Sequence, residues 1–386
     1  MTKREECRQL LETRSKETEI ITMDPYKIQF WFLRRIGGGY YRFYRFSPQD
    51  ASNTEAIVSG ELFSQKGKSL KLSEEGMKEN FPEKVLKDLK ETSMMFTMPK
   101  EDGKQKFIVP DMSFISTFIK MLSLHGTLFK TLKSFNKVLF IAEAFAKHQN
   151  AIKLVIRKMG GVYTAMAAVS DRYQSVDPLE TFESVDKVAE EHGMEFHSYE
   201  TCLGIVRFIY TFKDEGKDEK LSHFKKGIQI VLSDNTDSST TLRTVLVAGD
   251  QNIAYLTTKR YPHRTEFKEE YILSAIKEAK KSDILNNVLK IKRRHQPKNP
   301  LKVFEKILKD TGLDVAIGDK KTSQVIENAK DNFAWLYQQR NRCGYDDVLV
   351  EYLSIQKEKY FEKEFRDSTA EKVRNSASDV VKLLRK

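Results

Sequence analysis

The chain has no run of apolar residues near the ~18 that would cross a bilayer. Its opening, M-T-K-R-E-E, is too charged for a secretion leader. Cysteine is scarce: Cys7, Cys202 and Cys343 are far apart and odd in number. That excludes a disulfide framework and suits free thiols in a reducing compartment. Seven scattered histidines give no Cys/His spacing of the kind zinc requires. Gly37-Gly38-Gly39 is not followed by Gly-Lys-Ser/Thr, so it is no phosphate loop. There are no internal repeats. No nucleophile with its base and no carboxylate cluster stands out. Asp346-Asp347 is the one paired carboxylate behind a glycine-containing turn, and it lies in a helical tail. These absences predict a cytoplasmic protein that is not an enzyme and that uses no metal and no cofactor.

What is present is basic charge on an ordinary globular composition. Hydrophobic residues make up 40% and aromatics 11% of 386 residues, enough for a core. The formal net charge is +11, and the excess is local. Residues 27–45 hold five basic residues and no acid, 130–158 hold seven against Glu143, and 290–302 hold six and no acid. Clustering of this kind points to a polyanionic partner. Solvated lysine faces would give the same count, so that reading stays open.

The first pattern is F-W-F-L-R-R-I-G-G-G-Y-Y-R-F-Y-R-F, from Phe30 to Phe46. Two aromatic runs around a triple glycine predict a β-hairpin. Its period of two puts aromatic and basic side chains on both faces. Rings beside guanidinium groups suit a single nucleic-acid strand, while a core with a solvated arginine edge would read the same way. Residues 47–110 form a polar connection with a helix over 82–91 and a short strand at 107–110. The stretch 112–146 is helical, with Phe129, Leu132, Phe135, Leu139, Ala142 and Phe145 on its apolar stripe. A short apolar-basic run over 152–159 ends at Gly160-Gly161, residues 162–169 suit a buried strand, and an amphipathic helix covers 179–192. Four β-branched and aromatic runs follow, at 203–212, 227–233, 241–248 and 252–258, with short turns that favour an antiparallel meander. A helix with a phase shift near Leu285 comes next. Residues 291–300 (I-K-R-R-H-Q-P-K-N-P) predict a basic linker, and 301–386 are helical in pattern.

The predicted fold is α+β: an antiparallel meander with helices packed on one face, plus a helical C-terminal region. The predicted division is an arm over 1–25, the hairpin and amphipathic helices over 26–150, a central α+β domain over 151–290, the linker, and the helical region.

The run A-V-S-D-R-Y-Q-S-V-D, ending at Asp177, with the helix after it, resembles a phage- and plasmid-encoded family, domain of unknown function 932. That family carries a similar L-S-D-R-Y-x-x-x-D signature, then strands, an Asn-Ser-Glu-x-Gly-like turn and a Cys-x-Asn-Gly-like element. Here the turn's place is taken by residues 232–239 without the glycine, and the second element's place by 248–252 without the cysteine. The likeness spans roughly residues 150–285. It implies a protein of mobile elements and suggests DNA metabolism. The order of elements also resembles the core of phage single-strand annealing proteins.

Together these readings predict a nucleic-acid-binding protein that takes single-stranded DNA or RNA without reading sequence, forms homo-oligomers and promotes annealing or recombination. A structural or interaction protein remains open, such as a viral nucleoprotein or assembly component. The predicted contacts are Arg34, Arg35, Arg42, Arg45, Lys133, Lys137, Arg157, Lys158, Arg172, Arg260, Arg264, Lys292, Arg293 and Arg294. Arg172 stays open between a ligand contact and a scaffold residue, in a joint where Asp171 accepts from turn amides and Tyr173 packs under the sheet.

Overall fold

The chain begins as a helix and becomes a strand with no loop between them. α1 (Lys3–Glu17) opens with a capping box: Glu5 N donates to Thr2 Oγ1 at 3.3 Å, and Thr2 N donates to Glu5 Oε2 at 2.7 Å. Cys7 and Leu11, one turn apart, point inward and are fully buried. At Thr18 the backbone turns extended and starts β1 (Thr18–Met23). The computed structural model describes all residues except 53–57, 60–71, 100–104, 127–130, 174–175, 203–204, 215–223, 234–239, 250–251, 262–266, 314–319, 341–342, 358–367 and 386.

β1 forms one edge of an eight-stranded sheet. The other strands are β2 (Gln29–Arg35), β3 (Tyr41–Phe46), β4 (Val58–Ser59), β5 (Met94–Pro99), β6 (Gln105–Pro110), β7 (Ile152–Met159) and β8 (Val162–Ser170). Their order is β1-β7-β8-β6-β5-β2-β3-β4, antiparallel throughout except for the β6–β8 pair. Only residues 24–28 join β1 to β2, five places along that order. Five strand spacings come to about 24 Å. The six residue steps from Met23 to Gln29 reach about 21 Å at most. The sheet therefore curls. Its concave face closes on α4 (Met112–Met121) and α5 (Ser134–Ala146), and one core joins Met23, Phe30, Phe96, Phe118, Phe145 and Leu154. α2 (Glu74–Asn80) and α3 (Glu83–Thr92) cover part of the other face through Trp31, Phe43, Phe81 and Leu89.

The hairpin over 152–170 belongs to this first sheet, so the unit boundary falls after Ser170 rather than at residue 150. Its two-residue turn needs Gly160, whose φ is +62°. Beyond it, Tyr173 N donates to Ser170 O at 3.1 Å, and Lys153 Nζ donates to Asp171 O at 2.9 Å. Tyr173 packs on the cluster of Val155, Ala167 and Val169. The joint is a packed turn at the rim of the sheet.

α6 (Pro178–Glu191), capped by Asp177, leads into the second sheet. That sheet is a sequential antiparallel meander of β9 (Met194–Cys202), β10 (Ile205–Phe212), β11 (Phe224–Ser233), β12 (Thr240–Ala248) and β13 (Asn252–Tyr261). β9 escaped the sequence reading because its polar residues M-E-F-H-S-Y-E-T-C make an edge strand without a continuous apolar run. α1, α6 and α7 (Glu269–Lys281) pack on one face, around Phe182, Val185, Phe208, Ile230 and Ile276. Gly227 lets β10 and β11 meet: a Cβ there would lie 2.2 Å from Tyr210 O. The phase shift near Leu285 is a break at Ser282-Asp283 that starts α8 (Ile284–Lys292).

The segment 291–300 is not a free linker. Ile291 is fully buried and Lys292 is still helical. The Arg294 guanidinium lies 4.3 Å over the Tyr345 ring and donates to Leu384 O. α9 (Pro300–Asp310), α10 (Lys320–Arg340), α11 (Tyr345–Ser354) and α12 (Ser368–Arg385) share a core with Phe224, Leu246 and Ala254 of the meander. The architecture is α+β, an antiparallel meander with helices on one face and a helical C-terminal region, to which a second, curled sheet is added.

One cap in the curled sheet carries a cost. Asp111 accepts from Phe114 N at 2.7 Å and so starts α4. Burial pushes its carboxyl up to about 7, against the lowering pull of that bond, and neighbouring Asp88, itself raised to about 6 by burial, adds to the rise. A carboxyl raised in the folded state loses stability as pH climbs from about 4, where the unfolded chain ionises, to about 7, where the folded one does. Asp111→Asn keeps the cap and removes the charge. Its melting temperature should exceed the parent's at pH 8 by a few °C, and by less at pH 5. An equal gap at both pH values, measured by calorimetry, would refute this assignment.

Candidate nucleic-acid interface

The hairpin tip places arginines opposite one another without a described ion-pair partner. β2 and β3 pair so that Phe30 faces Phe46, Phe32 faces Tyr44, and Arg34 faces Arg42. Opposed residues share a face, so an aromatic ladder on the concave side ends in two arginines. The turn is a single 3-10 turn at Gly37–Gly39, closed by Ile36 N donating to Tyr40 O at 2.8 Å. Gly38 and Gly39 have φ of +76° and +78°, which side chains tolerate poorly. Tyr40 is left 43% exposed beyond it.

Lys133 joins this group through a ring contact. Phe135, in the first turn of α5, lies 4.9 Å from Phe32, so the exposed Lys133 just before the helix comes to the same face. Arg35 is exposed on the reverse face of the tip. Arg45 is on that reverse face too, 5.8 Å over Trp31, whose Nε1 donates to Thr97 Oγ1 at 2.9 Å. Among the described residues no carboxylate pairs with Arg34, Arg35, Arg42 or Lys133. Like charges directly opposed across a ladder destabilise it. Arg42 Nε is also enclosed without an acceptor. The sequence maintains an unfavourable arrangement that an added anion would relieve.

The other predicted contacts do not join this patch. Lys137 is half-buried one turn along α5. Arg157 is 5% exposed in the middle of β7, in register with Thr18 and Thr164, and is a buried strand residue rather than a surface contact. Alternation alone could not show this, because β7 is covered on both faces. Lys158 is exposed at the opposite end of the sheet. Arg172 is exposed at the same end as the tip, three strand spacings away, about 14 Å. Arg260 is exposed on β13 of the other sheet, and Arg264, like His263, lies outside the described residues. Lys292 lies 3.9 Å from Asp346, Arg293 is exposed, and Arg294 is held on Tyr345.

One cluster was missed in the sequence. Glu371 Oε1 lies 3.0 Å from Arg207 Nη2 and 3.5 Å from Arg374 Nη1, and Glu371 Oε2 lies 3.5 Å from Arg243 Nη2. Burial alone would push the Glu371 carboxyl up, but the three guanidinium groups together hold it below its ordinary range. Arg374 Nε donates to Gln356 Oε1 at 2.8 Å, and Gln356 Nε2 donates to Ile253 O at 3.1 Å. This is a clasp fastening α12 to the meander. The signal was present: Arg207 and Arg243 are the only charged residues in their strands. Asp346-Asp347 is an ordinary helix start, with Gly344 N donating to Asp347 Oδ2 at 2.7 Å. Among the described residues no three His, Cys, Asp or Glu side chains are grouped to hold a metal, and no helix is long and apolar enough to cross a membrane.

Relieving the opposed arginines should stabilise the fold. Arg42→Thr removes a like-charge pair costing about 0.2–1 kcal/mol, so the melting temperature should rise by ~1–3 °C at low salt. The gain should shrink as salt screens the pair. A lower melting temperature in a thermal scan would show that packing of the Arg42 stem outweighs the repulsion.

No protein family, curated protein or solved structure matches this chain.

Proposed function

We propose that the protein binds nucleic acid through phosphates at the tip of the β2–β3 hairpin, without reading sequence. The observation that carries this is the opposed Arg34–Arg42 pair, flanked by Arg35 and Lys133, with no described carboxylate to neutralise it. Phosphate oxygens supply that charge, and guanidinium groups bind them in a fork geometry. Tyr40 offers a face on which an unpaired base stacks, so single strands are favoured over duplex. The net charge of +11 adds a sequence-independent attraction. Sequence-independent binding of single strands suits an intracellular, non-enzymatic role in annealing or recombination, carried out by an oligomer on DNA or RNA.

Binding of a labelled oligothymidine, followed by fluorescence anisotropy across a salt series, tests the site. Each phosphate neutralised on a single strand steepens the slope of log K against log salt by about 0.7, so Arg34→Ala/Arg42→Ala/Lys133→Ala should flatten it by about 2 units. An Arg157→Lys control leaves the patch intact. An unchanged slope in the triple variant would move the site elsewhere, and no binding at low salt would end the proposal.

A further inference from the structure

The C-terminal helical region carries a second recognition feature, independent of the hairpin. A groove of about 410 Å³ opens between the loop after α8, α9, the start of α11 and the end of α12. Its floor is aliphatic, made by Val303 and Ile307 of α9 and by Leu383 and Leu384 of α12. Leu383 is 37% exposed, which is unusual for a leucine with a core available one residue away.

The rim is cationic. Lys302 and Lys306 stand one turn apart on the exposed side of α9, and neither side chain has a described partner. Arg294 faces the same groove and is held in place by its stack on Tyr345 and its bond to Leu384 O. Asp310 is the single acid among the described residues of the lining. Three cations against one carboxylate favour an anionic ligand. The floor decides which kind. Its aliphatic side chains, with Arg294 occupying a face of Tyr345, suit a branched aliphatic group better than a stacked base. The volume is at the small end for ligand pockets, enough for an anchoring side chain and its neighbours.

We propose that this groove docks a short acidic peptide segment of a partner protein, with a leucine-like side chain on the floor and its carboxylates on Lys302, Lys306 and Arg294. Cationic rims of this kind set specificity and association rate, while the buried apolar anchor holds the complex.

The test uses the full chain and a labelled peptide of two leucines flanked by glutamates, read by fluorescence polarisation. Lys302→Glu/Lys306→Glu should weaken binding on the order of tenfold, and Leu383→Ala several-fold. The peptide with alanine in place of leucine should lose as much as Leu383→Ala does. Lys309→Glu, exposed on α9 outside the groove, should change affinity less than about twofold. All substituted positions are exposed, so a melting curve matching the parent's is required of each variant. Lys302→Gln/Lys306→Gln gives a smaller loss in the same direction if the reversal perturbs α9. The proposal is overturned by the absence of saturable peptide binding. It is equally overturned if Lys309→Glu weakens binding as much as the double reversal, or if the leucines make no difference. Loss of oligothymidine binding in the double variant, with peptide binding unchanged, would assign the groove to nucleic acid instead.

Discussion

The passage of α1 into β1 without an intervening loop is the constraint on which the arrangement of the two sheets depends. α1 is seated in the meander's core through Cys7 and Leu11 and tied to α6 by Arg4–Asp186 and Arg8–Glu183. The next residue pairs with β7 at the edge of the curled sheet. Moving one sheet relative to the other would mean withdrawing Leu11, worth about 1.5–3 kcal/mol of burial, or unzipping β1. The same site keeps Cys7 inert, since burial pushes its thiol up to about 12. The five-residue link after β1 adds the second restriction, because it forces the six strands from β1 to β2 to curl around α4 and α5.

Arginine serves two opposite purposes on this frame. Where Arg207 and Arg374 are buried and Arg243 is half-buried beside them, Glu371 sits among the three, Tyr255 lies under the Arg243 guanidinium at 4.0 Å, and the C-terminal helix is fastened by them. Removing one partner of such a cluster strands a buried charge, so the clasp belongs to the scaffold. At the hairpin tip Arg34 and Arg42 oppose one another with no ion-pair partner among the described residues. Solvent keeps that arrangement affordable, and proximity of like charges keeps it receptive to an anion. Charge clusters in the sequence do not distinguish these two uses; neutralisation in space does.

Much of the secondary structure could be read from local pattern, because the strands of the meander and helices such as α3, α6 and α9 have clear periods and end signals. The hairpin at Phe30–Phe46 was legible for the same reason. Three things were not. β1 reads as the tail of a charged helix, since T-E-I-I-T-M is too short to announce a strand. The 152–170 hairpin pairs with strands far away in sequence, through β1 and the parallel β6 contact, and no local signal carries that. Of the basic residues, Arg34 and Arg42 are opposed by strand register, the Phe32–Phe135 contact brings Lys133 to their face, and Arg35 lies on the reverse face. Arg157 is buried because both faces of its strand are covered, and that cannot be seen from the strand alone.

The central claim is that the hairpin tip is the surface that meets the phosphate backbone. Ultraviolet crosslinking of the full-length protein to an oligothymidine, with the adducts located by mass spectrometry, tests it without altering the protein. The account predicts adducts within residues 34–45, with Tyr40 as the principal site. Adducts confined to the meander or to the C-terminal helices, with residues 34–45 unmodified, would contradict it.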